Sequence, residues 1–224
     1  MTDVSAYELM HLADSALPAG GYAFSSGLES AYRLGVLDGA AGLEQYLAAF
    51  LDGVATGDMP FVVAGMEAGD DEFDEAVAHY GASLSAPAAR RASLVLGRNW
   101  LRLLEGLYRG RAVKAVRRFF NSRNLPVHFA PTFGRGLAAL GWDGDAARQL
   151  FLFQAVRDQL SAAVRLGAVG PMAGNRLQMK LYGRCRWLLE ANRERHWRQA
   201  CRGAPLVDLA QLQHDRLYTR LFQS

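Results

Sequence analysis

Apolar residues recur along the chain three and four positions apart, as in Leu43, Tyr46, Leu47 and Phe50, or Leu101, Leu104, Leu107 and Tyr108. That spacing gathers them on one face of an α-helix, and the strict alternation that marks a half-buried strand is nearly absent. The pattern predicts helices over roughly 5–14, 26–36, 40–56, 59–80, 86–109, 111–122, 130–141, 144–168, 171–199 and 206–216, with ends uncertain by about three residues. Asp143 stands where a helix should start, and Asn124-Leu125-Pro126 and Gly170-Pro171 stand where one should stop or begin, because proline lacks an amide proton and disfavours helical geometry before it. The expected fold class is all-α, a bundle of about ten helices. No long Gly, Ser or Pro linker and no solenoid repeat interrupts it, so residues 1–224 are expected to form a single domain. Asp70 and Asp71 lead an amphipathic segment that reads as a solvated helix face.

Composition narrows the class. Half of the 224 residues are hydrophobic, enough for a substantial core without staples. Two cysteines, Cys185 and Cys201, and no secretory leader pattern point to the reducing cytoplasm. No apolar run approaches the roughly 20 residues of a membrane helix, so a soluble protein without a membrane partner is expected. The net charge of +3 hides an asymmetry: residues 1–80 hold 14 carboxylates against Arg33 alone, a balance of −13, while residues 81–224 carry +16. If the two parts occupied different faces, the molecule would be electrically polarised. Nucleic-acid binding is not the expected use of this charge, since no recognised DNA or RNA motif accompanies it.

Candidate chemistry is sparse. "GAVGPMAGNR" lacks the lysine and hydroxyl of a phosphate loop, which argues against nucleotide hydrolysis by this chain. Cys185, His196, Cys201 and His214 are the only local group of metal-ligand residue types, and their spacing matches no familiar site, so neither a metal nor another cofactor is expected. Ser25 and Ser26 lie in no nucleophile elbow, no triad partner can be assigned, and no catalytic residue is named. Ser26 with Glu29 has instead the Ser-x-x-Glu spacing of a capping box. In "LPAGGYAF", Pro18 sets φ and Gly20 and Gly21 permit positive φ, which makes a corner. Tyr22 and Phe24, two apart in an extended loop, would point the same way, either into the core or toward a partner.

These same residues carry a likeness. "LPAGGYAFSSGLES" resembles the N-terminal signature of the UreF family of urease accessory proteins, approximately Leu-Pro-x-Gly-Gly-(Tyr/Phe)-x-x-Ser-x-Gly-Leu-Glu, with Gly27 and Glu29 closing the match. Arg90 and Gly97 resemble the family's Arg-(x)6-Gly helix, and "HFAPTFGRGLAALGW" and "AAVRLGAVGPMAGNRL" resemble two further segments. "HDRLYTRLFQS" is similar to the closing His-x-x-x-Tyr-Ser-Arg-Leu-Phe-x-Ser. In order, the segments span essentially the whole chain.

The resemblance implies an all-α accessory protein, not an enzyme, that dimerises, binds a partner of the UreD or UreH type, and recruits the GTPase UreG so that nickel reaches apo-urease. It places Tyr22 and Arg165 at the surface that meets UreG. Tyr218, Arg220, Leu221 and Phe222 fall in a tail, 214–224, that is loose when free and orders on the UreD or UreH partner. Departures are Pro171 where the family usually has glutamine, Ala19 and Ala23 in place of larger or hydroxylated residues, and Gln223 where a basic residue is common. The +16 balance suggests that the C-terminal two thirds supplies much of the partner-facing surface. Two rival readings stand beside the assembly factor: a regulator that speeds UreG's GTP hydrolysis through an arginine, for which Arg165 is the candidate, and an arginine-rich helical nucleic-acid binder.

Overall fold

A computed structural model of the chain describes residues 6–223, of which 74% are helical and none lies in a β-strand. In chain order the α-helices are α1 (Ala6–Leu12), α2 (Leu28–Arg33), α3 (Gly39–Gly53), α4 (Met59–Glu67), α5 (Asp70–Ser83), α6 (Pro87–Leu107), α7 (Arg111–Ser122), α8 (Phe129–Ala139), α9 (Gly144–Arg165), α10 (Pro171–Ala191) and α11 (Pro205–Gln213). Single 3-10 turns cover Gly21–Ala23, Trp197–Gln199 and His214–Arg216.

The all-α expectation holds, and the anticipated signals act where they stand. Asp143 accepts the Ala146 amide at 2.8 Å and caps α9, while Pro171 opens α10 at a position whose N–H needs no partner.

Helices α4 and α8 form the centre. Their backbones touch because Gly65 and Gly134 face one another: a Cβ on Gly134 would overlap the Val62 carbonyl, and one on Gly65 the Pro131 carbonyl. Helix α6 packs on the other side of α8, and α9 links this centre to α10, α3 and α2. Trp100 of α6 stacks on Phe133 of α8 at 4.6 Å between ring centroids, with Phe129 and Phe151 edge-on to that pair or tilted beside it. Burying an aromatic ring of this size contributes about 2–3 kcal/mol, so this group is a main source of cohesion. One apolar cluster runs from Leu12 to Phe222, and a smaller one (Phe73, Val77, Leu101, Val116, Phe120) lies beneath α7.

Three predicted boundaries shift. The segments expected at 40–56 and 59–80 divide differently: α3 runs into α4 through a wide π turn, Val54–Asp58, and the break falls at Ala68 and Gly69 instead. Within that turn the Thr56 hydroxyl lies 2.8 Å from both the Asp52 and Cys201 carbonyls, and Cys201 donates its amide to the Thr56 carbonyl at 3.0 Å. A distant strand of backbone thus takes up bonds that a regular helix would keep to itself. The segment expected at 171–199 stops at Ala191, where the Asn192 side chain donates back to the Leu188 carbonyl at 2.9 Å.

The continuous helical stretch Gly39–Glu67 also corrects the expectation that no segment reaches membrane-spanning length and hydropathy. It does so by composition, with a mean hydropathy of 1.4 over its most apolar window. Its apolar side is spent on α8, α9 and α10, as befits the central helix of a folded core.

Charge polarity along the sequence does not become polarity of the molecule. The acids of the first 80 residues pair with bases of the remainder: Glu44 with Lys180, Asp52 with Arg184, Asp58 with Arg202, Asp70 with Arg135, Asp74 with Arg123, and Glu72 and Glu75 with Arg198. The Asp58–Arg202 pair, at 2.9 Å, is half-buried, and Asp58 also accepts the Tyr80 hydroxyl at 2.8 Å. Burial first, then Asp58, pushes the Tyr80 hydroxyl well above the usual tyrosine range.

Candidate functional site

The loop before α2 and the residues after α11 meet at one end of the molecule. Gly20 sits at φ +89° and Gly27 at φ +91°, backbone states that favour glycine. Gly21 has another use: a Cβ there would overlap the Asp158 carboxylate, so its small size lets the loop lie against α9. The corner is therefore built by Pro18 and Gly20, with Gly21 serving close approach.

Because Gly21–Ala23 is a helical turn and not extended chain, the two aromatic side chains diverge. Phe24 is buried, whereas Tyr22 is 61% exposed. Sequence reasoning, which assumed a common direction, separated core from surface as alternatives for both rings; the loop uses one of each.

Glu29 overturns a second expectation. No capping box with Ser26 forms: Gly27 holds the cap position of α2, and the Glu29 amide donates to the Ser25 hydroxyl at 3.3 Å. The Glu29 carboxylate, fully buried, instead accepts the backbone amides of Leu221 at 2.7 Å and Phe222 at 3.0 Å. Arg33 approaches the same carboxylate at 3.8 Å. Charge-assisted bonds of this kind are about twice as strong as neutral ones.

Arg165, the last residue of α9, completes the clasp. Its guanidinium donates to the Tyr22 carbonyl, lies 4.4 Å from the centroid of the Phe222 ring and 5.8 Å from that of Tyr22. A cation at this place is also favoured by the partial negative charge of the helix C-terminus. Gln223 donates its amide to the Ala23 carbonyl at 2.8 Å, so tail and loop share backbone bonds as well. Gln159 of α9 and Gln211 of α11 donate to the Ser25 and Ser26 carbonyls at 2.9 and 3.4 Å, fixing the loop from two sides.

Beneath the tail His214 is buried, and its imidazole is held below the usual histidine range by that burial. Both carboxylate oxygens of Asp215 accept from one terminal nitrogen of Arg91 at 2.7 Å, Asp215 lies 3.5 Å from Arg220, and the Arg91 hydrogen bond holds its carboxyl below the usual range.

The residues singled out from the sequence thus come together: Tyr22, Arg165, Leu221, Phe222 and Glu29 within one clasp, Arg220 tied to Asp215 at its edge, Pro18, Gly20, Gly21 and Gly27 shaping the loop. Tyr218 stands apart from them, fully exposed. The remaining signal was missed. Leu206, Leu209 and Leu212 project into solvent three apart on α11, an apolar stripe of the kind that anchors protein interfaces. Their spacing is legible in the sequence, but nothing there distinguishes an outward stripe from a core-facing one.

Behind Gly21 lies a cavity of about 160 Å³, lined by Phe50, Phe129 and Phe151 at one side and by Asp158, Tyr80 and Arg202 at the other. Burial pushes the Asp158 carboxyl up despite its Arg157 partner. Among the described residues no three His, Cys, Asp or Glu side chains are placed to hold a metal ion; His196 pairs with Glu72 at 3.3 Å on the surface, and Cys185 is buried in α10 with its thiol pushed up to about 11.

A family model described as UreF matches residues 37–182. Pairwise relatives extend over the loop and the tail as well. The urease accessory protein F of Arabidopsis thaliana is 33% identical over 216 residues, covering 95% of this chain and 90% of the relative. That of Oryza sativa subsp. indica is 28% identical over 99% of this chain and 86% of the relative, and the UreF of Ectopseudomonas mendocina 29% identical over 98% and 99%. With the clasp geometry and these matches in place, the chain belongs to the UreF family of urease accessory proteins, which serve urease maturation and are not enzymes.

Proposed function

We propose that the protein is a nickel-insertion assembly factor, a chaperone-like adaptor of the cytoplasm that works as a homodimer. Its tail binds a UreD- or UreH-type partner, and the surface around Tyr22 and Arg165 recruits the GTPase UreG to apo-urease. Nickel is cargo of the assembly, not a resident group of this chain.

The observation that carries this reading is the clasp itself. Arg165 touches Tyr22 on one side and buried Phe222 on the other, so the residues assigned to the GTPase are joined directly to the seat of the tail assigned to the UreD-type partner. Exposed Tyr22, Tyr218, Leu221 and the α11 leucines supply the aromatic and apolar anchors that adaptors need. Met172, Met179 and Trp187, exposed along one line of α10, offer a separate apolar surface for a second copy. The rival role, an arginine inserted into a GTPase site, is disfavoured because the Arg165 guanidinium is already engaged within its own chain.

Co-purification tests the reading. Tyr218→Ala with Phe222→Ala should lose the UreD- or UreH-type protein and, with it, UreG, whereas Tyr22→Ala should lose UreG alone. Capture of both partners by both variants, with normal nickel loading of urease, would refute it. A large loss of GTP turnover in Arg165→Ala with UreG binding retained would instead favour the catalytic arginine.

A further inference from the structure

The internal pairing of acids and bases leaves unpaired positive charge most concentrated in one region. On α6, Arg98 and Arg102 stand four apart on the side that flanks buried Leu101, where α7 packs, and Arg109 follows in the turn that leads into α7. Along α7, Arg111, Lys114 and Arg118 recur three and four apart, opposite the buried Val113, Val116 and Phe120. All six are exposed, and none has a carboxylate within ion-pair distance among the described residues. The one acid between them, Glu105, is claimed by Arg117 at 2.7 Å, a bond that also ties the two helices together. Arg102 donates only to the neutral Asn99 side chain at 2.8 Å.

Like charges held this close repel one another, a cost that folding does not require. Elsewhere many arginines are neutralised, Arg184 on Asp52, Arg202 on Asp58 and Arg123 on Asp74, and those that are not, Arg90, Arg165, Arg176, Arg186, Arg195 and Arg216, are scattered over several elements. The hairpin is therefore distinct in gathering six unneutralised bases within residues 98–118, in a molecule whose net charge is only +3.

We propose that the α6–α7 hairpin is a docking surface for an acidic protein surface, separate from the clasp of loop and tail. The proposal rests on the assembly-factor reading for the kind of partner, a protein. Guanidinium groups suit carboxylates through paired, forked bonds, the arrangement this chain itself uses between Arg184 and Asp52. Single-stranded nucleic acid would call for exposed rings to stack on, and Tyr108 and Phe119 are only partly exposed. A membrane surface would call for apolar side chains to insert, and Leu107 is the one large apolar residue exposed on this hairpin. A flat, basic, mostly arginine face fits a carboxylate-rich protein, drawn in over a Debye length of about 8 Å at physiological salt.

The test is a charge reversal, Arg111→Glu with Lys114→Glu and Arg118→Glu, in the full chain. These side chains are exposed on a helix whose buried face is untouched, so the melting temperature should stay within a few degrees of the parent; the Gln triple variant serves as a second, milder form. Each protein is titrated at 0.15 M salt against the purified UreD- or UreH-type protein, UreG and apo-urease. One of the three is expected to bind the Glu variant at least tenfold more weakly and the Gln variant by an intermediate factor, and to bind the parent more weakly as salt rises. Unchanged affinities for all three would overturn this inference and leave the assembly reading standing. Failure of the parent to bind any of them would overturn both. A loss seen only with a DNA duplex or with phosphatidylserine vesicles would overturn the assignment to a protein.

Discussion

Phe222 donates its backbone amide to the Glu29 carboxylate at 3.0 Å, across a sequence separation of 193 residues. Glu29 is fully buried, and burial of an ionised carboxylate is costly unless donors surround it. Leu221 and Phe222 supply those donors, so seating the tail and desolvating Glu29 are two sides of one equilibrium.

Glu29→Ala removes both acceptors and should weaken tail docking by about 3–6 kcal/mol, since hydrogen bonds to charged groups contribute about 1.5–3 kcal/mol each. Glu29→Gln, which keeps one acceptor oxygen, should lose less. Amide hydrogen exchange at Leu221, Phe222 and Gln223 reads this directly; protection equal to that of the parent would refute the assignment.

Arg165→Lys keeps the charge but loses the planar group that lies over Phe222, and should weaken the tail's seat by about 1 kcal/mol. Phe222→Leu should do so by a similar amount while abolishing the ring-current shift of the Arg165 side-chain protons. A shift that survives Phe222→Leu would show that the two groups do not stack in solution.

Gly21→Ala should destabilise the protein by about 1–3 kcal/mol because the new methyl meets the Asp158 carboxylate. Asp158→Ala removes that obstacle, so the double variant should recover part of the loss. Purely additive effects in urea melts would show that the loop does not press on α9 at this point.

His128 is buried against Ser93, and burial, then Arg90, lowers its imidazole to about 4 from the usual 6.5. The unfolded chain therefore takes up a proton first as pH falls, and stability present above about pH 6.5 should drain away down to about pH 4, on the order of 2 kcal/mol. His214, shifted in the same direction, adds to the slope. Thermal melts of His128→Gln should show a flatter dependence across that window; the full parental slope would assign it to other groups.

Helix positions and class were legible because amphipathic spacing is a local signal, and Asp143 and Pro171 mark their helix starts by side-chain chemistry alone. The clasp was legible only in pieces. Tyr22 and Arg165 stood out through family likeness, but Glu29 read as a capping residue, because its partners lie at the far end of the chain and no local spacing records them. For the same reason the division of charge between the chain's parts looked like a dipole: the sequence orders charges along a line, while the fold sets Asp52 beside Arg184 and Asp58 beside Arg202. The π turn at Val54–Asp58 escaped notice because the bonds that widen it come from Cys201.

The pairing of early acids with late bases bears on how the molecule is made. On the ribosome, the first 80 residues emerge with a strong excess of negative charge that the bases of residues 90–135 largely offset, yet the specific partners of Asp52, Glu75 and Asp58, which are Arg184, Arg198 and Arg202, are made much later. At translation speeds of about 5–20 residues per second, those carboxylates wait several seconds for the arginines they meet in the finished fold. Closure belongs to the end of synthesis, and nascent fragments truncated before Arg184 should remain open to proteases that the finished protein resists.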